Sequence, residues 1–302
     1  MKETIHNVKP STQYKREHKS DYGKEKIDIL YQDKDIIVIN KPSGMLSVPY
    51  PGSKSRTALS VLEKLMRENG TYSASHRPYT VHRLDRDTSG VMMFALNEGV
   101  QHKIMASWHT MVTERIYHAV AENPKDKSKE LPASGLIDDP LAQNAYNVGY
   151  VPNKKDDKAK TVEARTHYKI IKRGPTHTLF ELSLDTGKKN QIRAHLSSKG
   201  YPLAGDENYR SHTDPFGRLA LHARTLEFIH PVTGKKMKFE VPESQEWIDY
   251  VDRGDFHPEL PIWRQERTKR DKSQNQSLIP PVSFKRNHGG DFISNGKSRG
   301  KR

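Results

Sequence analysis

Val81-His82-Arg83-Leu84-Asp85-Arg86-Asp87-Thr88-Ser89-Gly90-Val91 is dense in charge and opens directly into the apolar run Val91-Met92-Met93-Phe94-Ala95-Leu96. A polar turn feeding a buried strand is a rigid mount for a reactive group, because the strand fixes what the turn presents. Asp85 is the first candidate for that group. Upstream, Ile27 to Tyr31 and Ile36 to Ile39 are short β-branched runs that read as a hairpin, and Asn40-Lys41-Pro42-Ser43-Gly44 breaks the pattern with turn residues. From Thr57 to Asn69, Leu59, Leu62, Leu65 and Met66 recur at helical spacing, and Gly70 supplies a stop. Val100 to Trp108 and Glu243 to Val251 read as two further helices. Ile116 to Ala121, Val162 to Ile171, Leu179 to Leu184, Leu219 to Phe228 and Met237 to Val241 read as strands. Strands outnumber helices and do not alternate with them, which predicts an α+β fold on a mixed, mostly antiparallel sheet rather than a doubly wound parallel one. Residues 122–160 read as an excursion from that sheet, of the kind that often carries function.

No apolar run in the 302 residues approaches the roughly 18–20 needed to span a bilayer. Met1-Lys2-Glu3-Thr4-Ile5-His6 has no apolar stretch of the secretory kind, so a cytoplasmic address is expected. The chain has no cysteine, which excludes disulfides, thiolate nucleophiles and Cys-ligated zinc. Its net charge of +14 points to a polyanionic partner. That charge is concentrated at the ends. Trp263 to Arg302 carries 11 Lys/Arg against 3 acids, and Met1 to Lys26 carries 7 against 4, leaving only +3 between them. Recognition by the central region is therefore local. The last segment is also rich in Ser, Asn, Gln and Gly, a composition that cannot bury enough apolar surface to fold alone. The expected organisation is a basic extension over 1–26, a folded unit over 27–252 and a basic, disordered tail over 253–302.

Three further segments carry candidate chemistry. Arg115-Ile116-Tyr117-His118 places Tyr117 in an alternating strand, where a tyrosine is commonly half-buried packing. Gly187-Lys188-Lys189-Asn190-Gln191-Ile192-Arg193-Ala194-His195-Leu196 begins with a glycine turn and basic side chains. Gln191, Arg193 and His195 alternate if this segment is extended, or share a tilted face if it is helical. Gly200 to Tyr209 is a turn-rich loop.

These residues together are similar to a known family. His82-Arg83-Leu84-Asp85-Arg86-Asp87-Thr88-Ser89-Gly90 resembles the catalytic signature of the RluA-type pseudouridine synthases, in which the aspartate performs the reaction. Ile36 to Met45 is similar to the family's opening strand and turn, and Tyr117 matches its active-site tyrosine. Gly187 to Leu196, followed by Gly205-Asp206, matches its late motif, and Leu221-His222-Ala223 with Ile229-His230-Pro231 resembles its closing strands. The resemblance spans about residues 27–242, and four ordered motifs are far more specific than a lone Arg-Leu-Asp. Two departures stand out: Lys188 and Asn190 occupy positions where the family usually has Arg and His, and Lys lacks the planar fork of Arg. The extension before residue 27 is also too short for the S4-like domain of many relatives.

The resemblance implies an RNA-modifying isomerase that converts uridine to its C-glycoside in ribosomal and/or transfer RNA. That rearrangement breaks N1–C1′, turns the uracil and joins C5 to C1′. It is redox-neutral and calls for no cofactor or metal. An ionised Asp85 starts it either by attacking C1′ or by taking a proton from C2′. Burial alone would raise the pKa of Asp85, so a cation must oppose it, and the resemblance puts Arg193 there. On that reading Arg193→Met costs activity more than folding. Tyr117 either removes the surplus proton from C5 or stacks on the uracil. The target base must be flipped out of its stack, and Arg83 is implied to fill the vacated space, unless it is tied to Asp87 in the turn. His82 either contacts phosphate or caps the loop, and Lys188 and Gln191 complete the expected RNA-binding set.

Rival chemistries fare less well. Asp85 and Asp87, two apart on an extended segment, face opposite ways and do not flank one glycosidic bond. His82, His195 and His222 lack a short ligand spacing for a metal. A non-catalytic RNA-binding protein on the same fold explains the charged ends equally well, but not the joint presence of Asp85, Tyr117 and Arg193. The expected partner is RNA, with neither DNA nor membrane, and a monomer is the simplest assembly.

Overall fold

The apolar run around Gly90 forms strand β4 (Ser89–Ala95), buried at every position. A strand covered on both faces needs apolar side chains on both, so it shows none of the polar alternation of a half-exposed strand. The computed structural model describes residues 27–53, 55–153 and 159–255. The expected extensions therefore lie outside the described residues, save Arg253 to Asp255. On one face of β4, Met92 and Phe94 pack with Ile37 and Ile39 of β2 (Ile36–Lys41) beneath helix α1 (Ala58–Glu68). On the other, Val91, Met93 and Ala95 pack with Ile36 and Val38 beneath α2 (Glu98–Met111). Helix α1 starts where the sequence predicts because Thr57 and Ser60 cap each other. Thr57 Oγ1 accepts from the Ser60 N–H at 3.1 Å, and Ser60 Oγ accepts from the Thr57 N–H at 2.9 Å.

The main sheet runs β1 (Asp28–Gln32), β2, β4, β11 (Leu221–Ile229), β5 (Val112–Glu122), β10 (His177–Leu184), β9 (Thr166–Arg173) and β6 (Ser134–Ile137). Two short strands pair off this path with interior strands, β3 (Tyr79–Thr80) on β4 and β12 (Lys236–Glu240) on β11. Neighbours are antiparallel except β4 and β11, which run parallel over only Ser89↔His222 and Gly90↔Ala223. The mixed, mostly antiparallel α+β architecture is the one read from the sequence.

That brief parallel contact depends on Gly90. Its φ is +114°, and a Cβ there would overlap the backbone of Ala223. Gly90→Ala is therefore expected to lower unfolding stability by about 3 kcal/mol or more, from backbone strain and forced separation of two strands. Chemical denaturation measures this, and an unchanged midpoint would show that the two backbones are not in contact.

Beyond the seam, Ala119, Ala121, Phe180 and Leu182 from β5 and β10 pack against Ile192, Leu196, Tyr201 and Leu203. Helix α3 (Gln191–Ser198) supplies the first two. On the reverse face, Trp247 and Val251 of α4 (Gln245–Arg253) cover Val120 and Leu179. Residues 122–160 are only partly an excursion. β6 returns to the sheet as its edge against β9, whereas β7 (Ala142–Gln143) and β8 (Gly149–Tyr150) form a separate two-stranded ribbon. Among the described residues, no helix is long and apolar enough to cross a membrane.

Candidate active site

The loop before β4 is held from below by the turn that follows β2. Lys41 is completely buried, and its ammonium donates to the carbonyls of Pro42 (2.8 Å), Met45 (2.7 Å) and Arg86 (2.9 Å). A buried ammonium is tolerated only when its donors are met, and here they are met by the backbone on both sides of the join. Ser47 Oγ donates to the Leu84 carbonyl at 2.7 Å and accepts from the Leu84 N–H at 3.1 Å. Ser43 Oγ donates to the Asp87 carbonyl at 2.7 Å. Within the loop, the Thr88 N–H closes a turn on the Asp85 carbonyl at 3.2 Å. The backbone on either side of Asp85 is thus fixed, and its side chain projects from a rigid base.

Both contacts to the Asp85 carboxylate fall on one oxygen. Asn190 Nδ2 donates to Oδ2 at 2.7 Å, and Arg193 Nη1 lies 3.8 Å from the same atom. Oδ1 accepts no hydrogen bond from the described residues. Arg193 is held elsewhere: Nε and Nη2 donate to the two oxygens of Asp206 at 2.7 and 2.8 Å, and both side chains are buried. This fork-to-fork pair spends one edge of the guanidinium and leaves Nη1 for Asp85. Burial works against the charge on Arg193, but Asp206 outweighs it and holds the pKa above the ordinary value. The Tyr209 ring lies beneath, 4.9 Å from the guanidinium carbon, with its hydroxyl donating to the Gly149 carbonyl.

Asp85 and Arg193 line a cleft of about 520 Å³ together with His82, Arg83, Trp108, Arg115, Tyr117, Lys188 and Asn190. A larger cavity of about 780 Å³ lies across Arg193 and is lined by Lys41, Asp206 and Trp247, without Asp85. Tyr117 packs against both central cores, so its ring sits at the seam of the molecule. Burial raises its hydroxyl pKa, Arg115 opposes the shift and Asp85 adds to it. Arg83 is exposed at the cleft and makes no hydrogen bond or ion pair among the described residues. Asp87 pairs instead with Arg86, at 3.0 and 3.1 Å, so the alternative of an Arg83–Asp87 tie within the turn is overturned. Partial burial lowers the pKa of Lys189, Asp85 opposes the shift, and Arg83 and Arg193 add to it.

Two expected RNA contacts find other work. The Gln191 side chain is buried, donating to the Arg165 carbonyl (2.9 Å) and Thr166 Oγ1 (3.0 Å) and accepting from Thr186 Oγ1 (2.7 Å) and the Lys188 N–H (3.0 Å). With its amide fully committed, Gln191 shapes the turn rather than facing RNA. His82 Nε2 accepts from the Met93 N–H at 3.0 Å, and its ring lies 4.8 Å from that of Trp108. Burial, reinforced by Arg115, pushes its pKa down to about 3, so His82 is a neutral ring in the cleft wall, tied to a mid-strand amide of β4. Lys188 is exposed at the rim.

The family model described as RNA pseudouridylate synthase matches residues 35–198, more than half of the chain, including Asp85, Tyr117 and Arg193. The chain belongs to that family. A pseudouridine synthase of Bacillus subtilis, YlyB, is 34% identical over 232 residues, covering 75% of this chain and 72% of that protein. Ribosomal large subunit pseudouridine synthase D of Salmonella typhimurium is 32% identical over 246 residues, covering 76% and 72%. Among solved structures, human RNA pseudouridylate synthase domain containing 4 aligns with a TM-score of 0.58 at 23% identity, over 73% of this chain and 90% of that one, a likeness of fold.

No rule of sequence assigns Asn190, Lys189 or Asp206 a role in the site of this pseudouridylate synthase. Asn190 stood only as a departure from the family's pattern, and Asp206 only as part of a turn. As for metals, Asp33, Asp35 and His230 bring ligand atoms within 4.8 Å of one another. The ligand atoms of Asp33 and His230 are already engaged. His230 Nε2 bonds to Asp33 at 3.0 Å, its Nδ1 accepts from the Val232 and Thr233 N–H groups, and the other Asp33 oxygen accepts from the Asp35 and Ile36 N–H groups. The cluster closes a turn. His195 lies apart from His82 and His222, bonded to Thr166 and the Asp139 carbonyl, so the three histidines form no common site.

Proposed function

We propose that this chain converts uridine in RNA to pseudouridine, with ionised Asp85 starting the reaction. The observation that carries the reading is a carboxylate with Oδ2 tied to Asn190 and Arg193 and Oδ1 left unbonded inside a cleft lined by cations. An oxygen held in this way meets a sugar carbon or its proton without first breaking a bond to the protein. Attack at C1′ and abstraction at C2′ both begin from it. In either case N1–C1′ breaks, the uracil turns, C5–C1′ forms, and the hydrogen lost from C5 is matched by one gained at N1.

Arg83 is placed to occupy the space left by an extruded base, since it stands at the cleft two residues from Asp85 with no ion pair to give up. Tyr117 keeps its proton in the resting cleft, because burial and Asp85 both raise its pKa, and this favours the ring as a surface for the uracil over the phenolate as a base. Arg83 and Arg193 both repel the Lys189 ammonium, and an added phosphate relieves that repulsion. Ribosomal RNA is the first substrate to try, in view of the relatives named for the large ribosomal subunit, with transfer RNA the second. The protein is taken to act as a cytoplasmic monomer, its folded unit over 27–252 sufficing for the chemistry.

The test is to incubate the purified full-length chain with unmodified ribosomal and transfer RNA and to separate pseudouridine from uridine after digestion to nucleosides. Product in one RNA class supports the reading and names the substrate. Binding without product in either class would return the chain to the rival reading, a binder on a synthase fold.

A further inference from the structure

Asn190 adopts a conformation that few residues other than glycine tolerate, with φ 58° and ψ 21°, at the position immediately before α3. An asparagine preceding a helix ordinarily caps it by accepting from the first-turn N–H groups, yet this side chain makes no such bond. It reaches across the cleft instead. Its two ends are chemically distinguishable: the Gly149 N–H, which only donates, meets Oδ1 at 3.4 Å, and Asp85, which as a carboxylate only accepts, meets Nδ2 at 2.7 Å. The amide therefore has one orientation. Ribbon strand β8, from the 122–160 insertion, sets that orientation, and its Gly149 lies so close to the Lys189 carbonyl that a Cβ would not fit.

We propose that Asn190 is a positioning residue for the reaction: it pins Oδ2 of Asp85 and thereby assigns Oδ1 as the oxygen that meets the nucleotide. Arg193, at 3.8 Å and already bonded twice to Asp206, supplies charge at longer range, while Asn190 supplies the directional bond. An amide does not titrate, so the hold on Oδ2 is the same at every pH at which Asp85 is ionised. The role rests on Asp85 being the reacting group, as set out above.

Two substitutions that suit a left-handed backbone test it. Asn190→Gly keeps the turn and removes the donor, and its single-turnover rate is expected to fall about 10- to 100-fold with RNA affinity unchanged, the loss of one fixed donor at a reacting group. Asn190→Asp puts a second carboxyl against Asp85, in the neighbourhood of Arg83, Lys189, Arg193 and Tyr209. While protonated it donates to Oδ2 as the amide did. Once ionised it repels, so the rate is expected to drop about tenfold or more as pH rises through the pKa of the pair, a limb that the parent lacks. A purely structural asparagine would produce no such limb. If the parent makes pseudouridine and Asn190→Gly is equally fast, or Asn190→Asp follows the parent's pH profile, the role is overturned. If the parent makes none, it is the function itself that fails.

Discussion

Asp85→Asn is expected to abolish pseudouridine formation, lowering the single-turnover rate by at least about 10⁴-fold, on the scale seen when an enzyme loses the group that does its chemistry. The fold should be untouched. An asparagine has nearly the same shape, its carbonyl oxygen can still accept from Asn190 Nδ2, and the loop backbone is fixed by Lys41, Ser43 and Ser47 rather than by the carboxylate. RNA affinity should hold or rise, because a negative charge leaves a cleft that also contains Arg83, Arg115, Lys188 and Arg193. Nucleoside analysis beside a filter-binding titration separates these effects. Product at more than about a hundredth of the parental rate would mean that another group starts the reaction.

Arg193→Met is expected to destabilise the protein by about 3–5 kcal/mol as well as to inactivate it. The expectation that its cost falls on activity more than on folding is thereby revised. Asp206 is buried and shares both oxygens with Arg193, so removing the guanidinium strands a negative charge in the interior. The double variant Arg193→Met/Asp206→Leu replaces the pair with apolar groups of similar size and should recover most of that stability, since a buried pair is worth little against a packed substitute. It should remain inactive, because Asp85 still lacks its cation. Thermal unfolding and product assays on both variants decide the matter: a stable, inactive single variant would show that Asp206 is satisfied by other means, and an active double variant would remove Arg193 from the site.

Much of this was legible in the chain because local rules and tertiary packing agree there. Thr57 caps a helix whose apolar positions face one core, and the run Val91 to Leu96 is apolar because β4 is covered on both sides. The sequence of helix α3 fits two conformations for a physical reason. Gln191 to Leu196 are all buried, polar and apolar alike, so the segment has no exposed face to write a 3.6-residue period. β6 to β8 are two to four residues long and carry almost no periodic signal. In the site, Asp85 announced itself through its setting, whereas Asp206 is paired with a residue 13 positions away by a turn that no spacing rule encodes. Asn190 left one clue, an asparagine in a basic turn ahead of a possible helix, and its use depends on a φ/ψ value that sequence does not print. Gln191 misled because a polar residue in a basic motif resembles an RNA contact, while its amide was already spent on the turn.

The short parallel contact between β4 and β11 divides the reactive groups by origin. The Asp85 loop leans on the core made by β2, β4 and α1, whereas Asn190 and Arg193 come from the far side of the seam and Tyr117 bridges the two. Neither side carries a complete set. A chain in which one side has folded and the other has not holds an aspartate without its clamp, and a cationic turn with nothing to restrain. On the proposed mechanism, competence therefore requires both sides of the seam to be folded and joined.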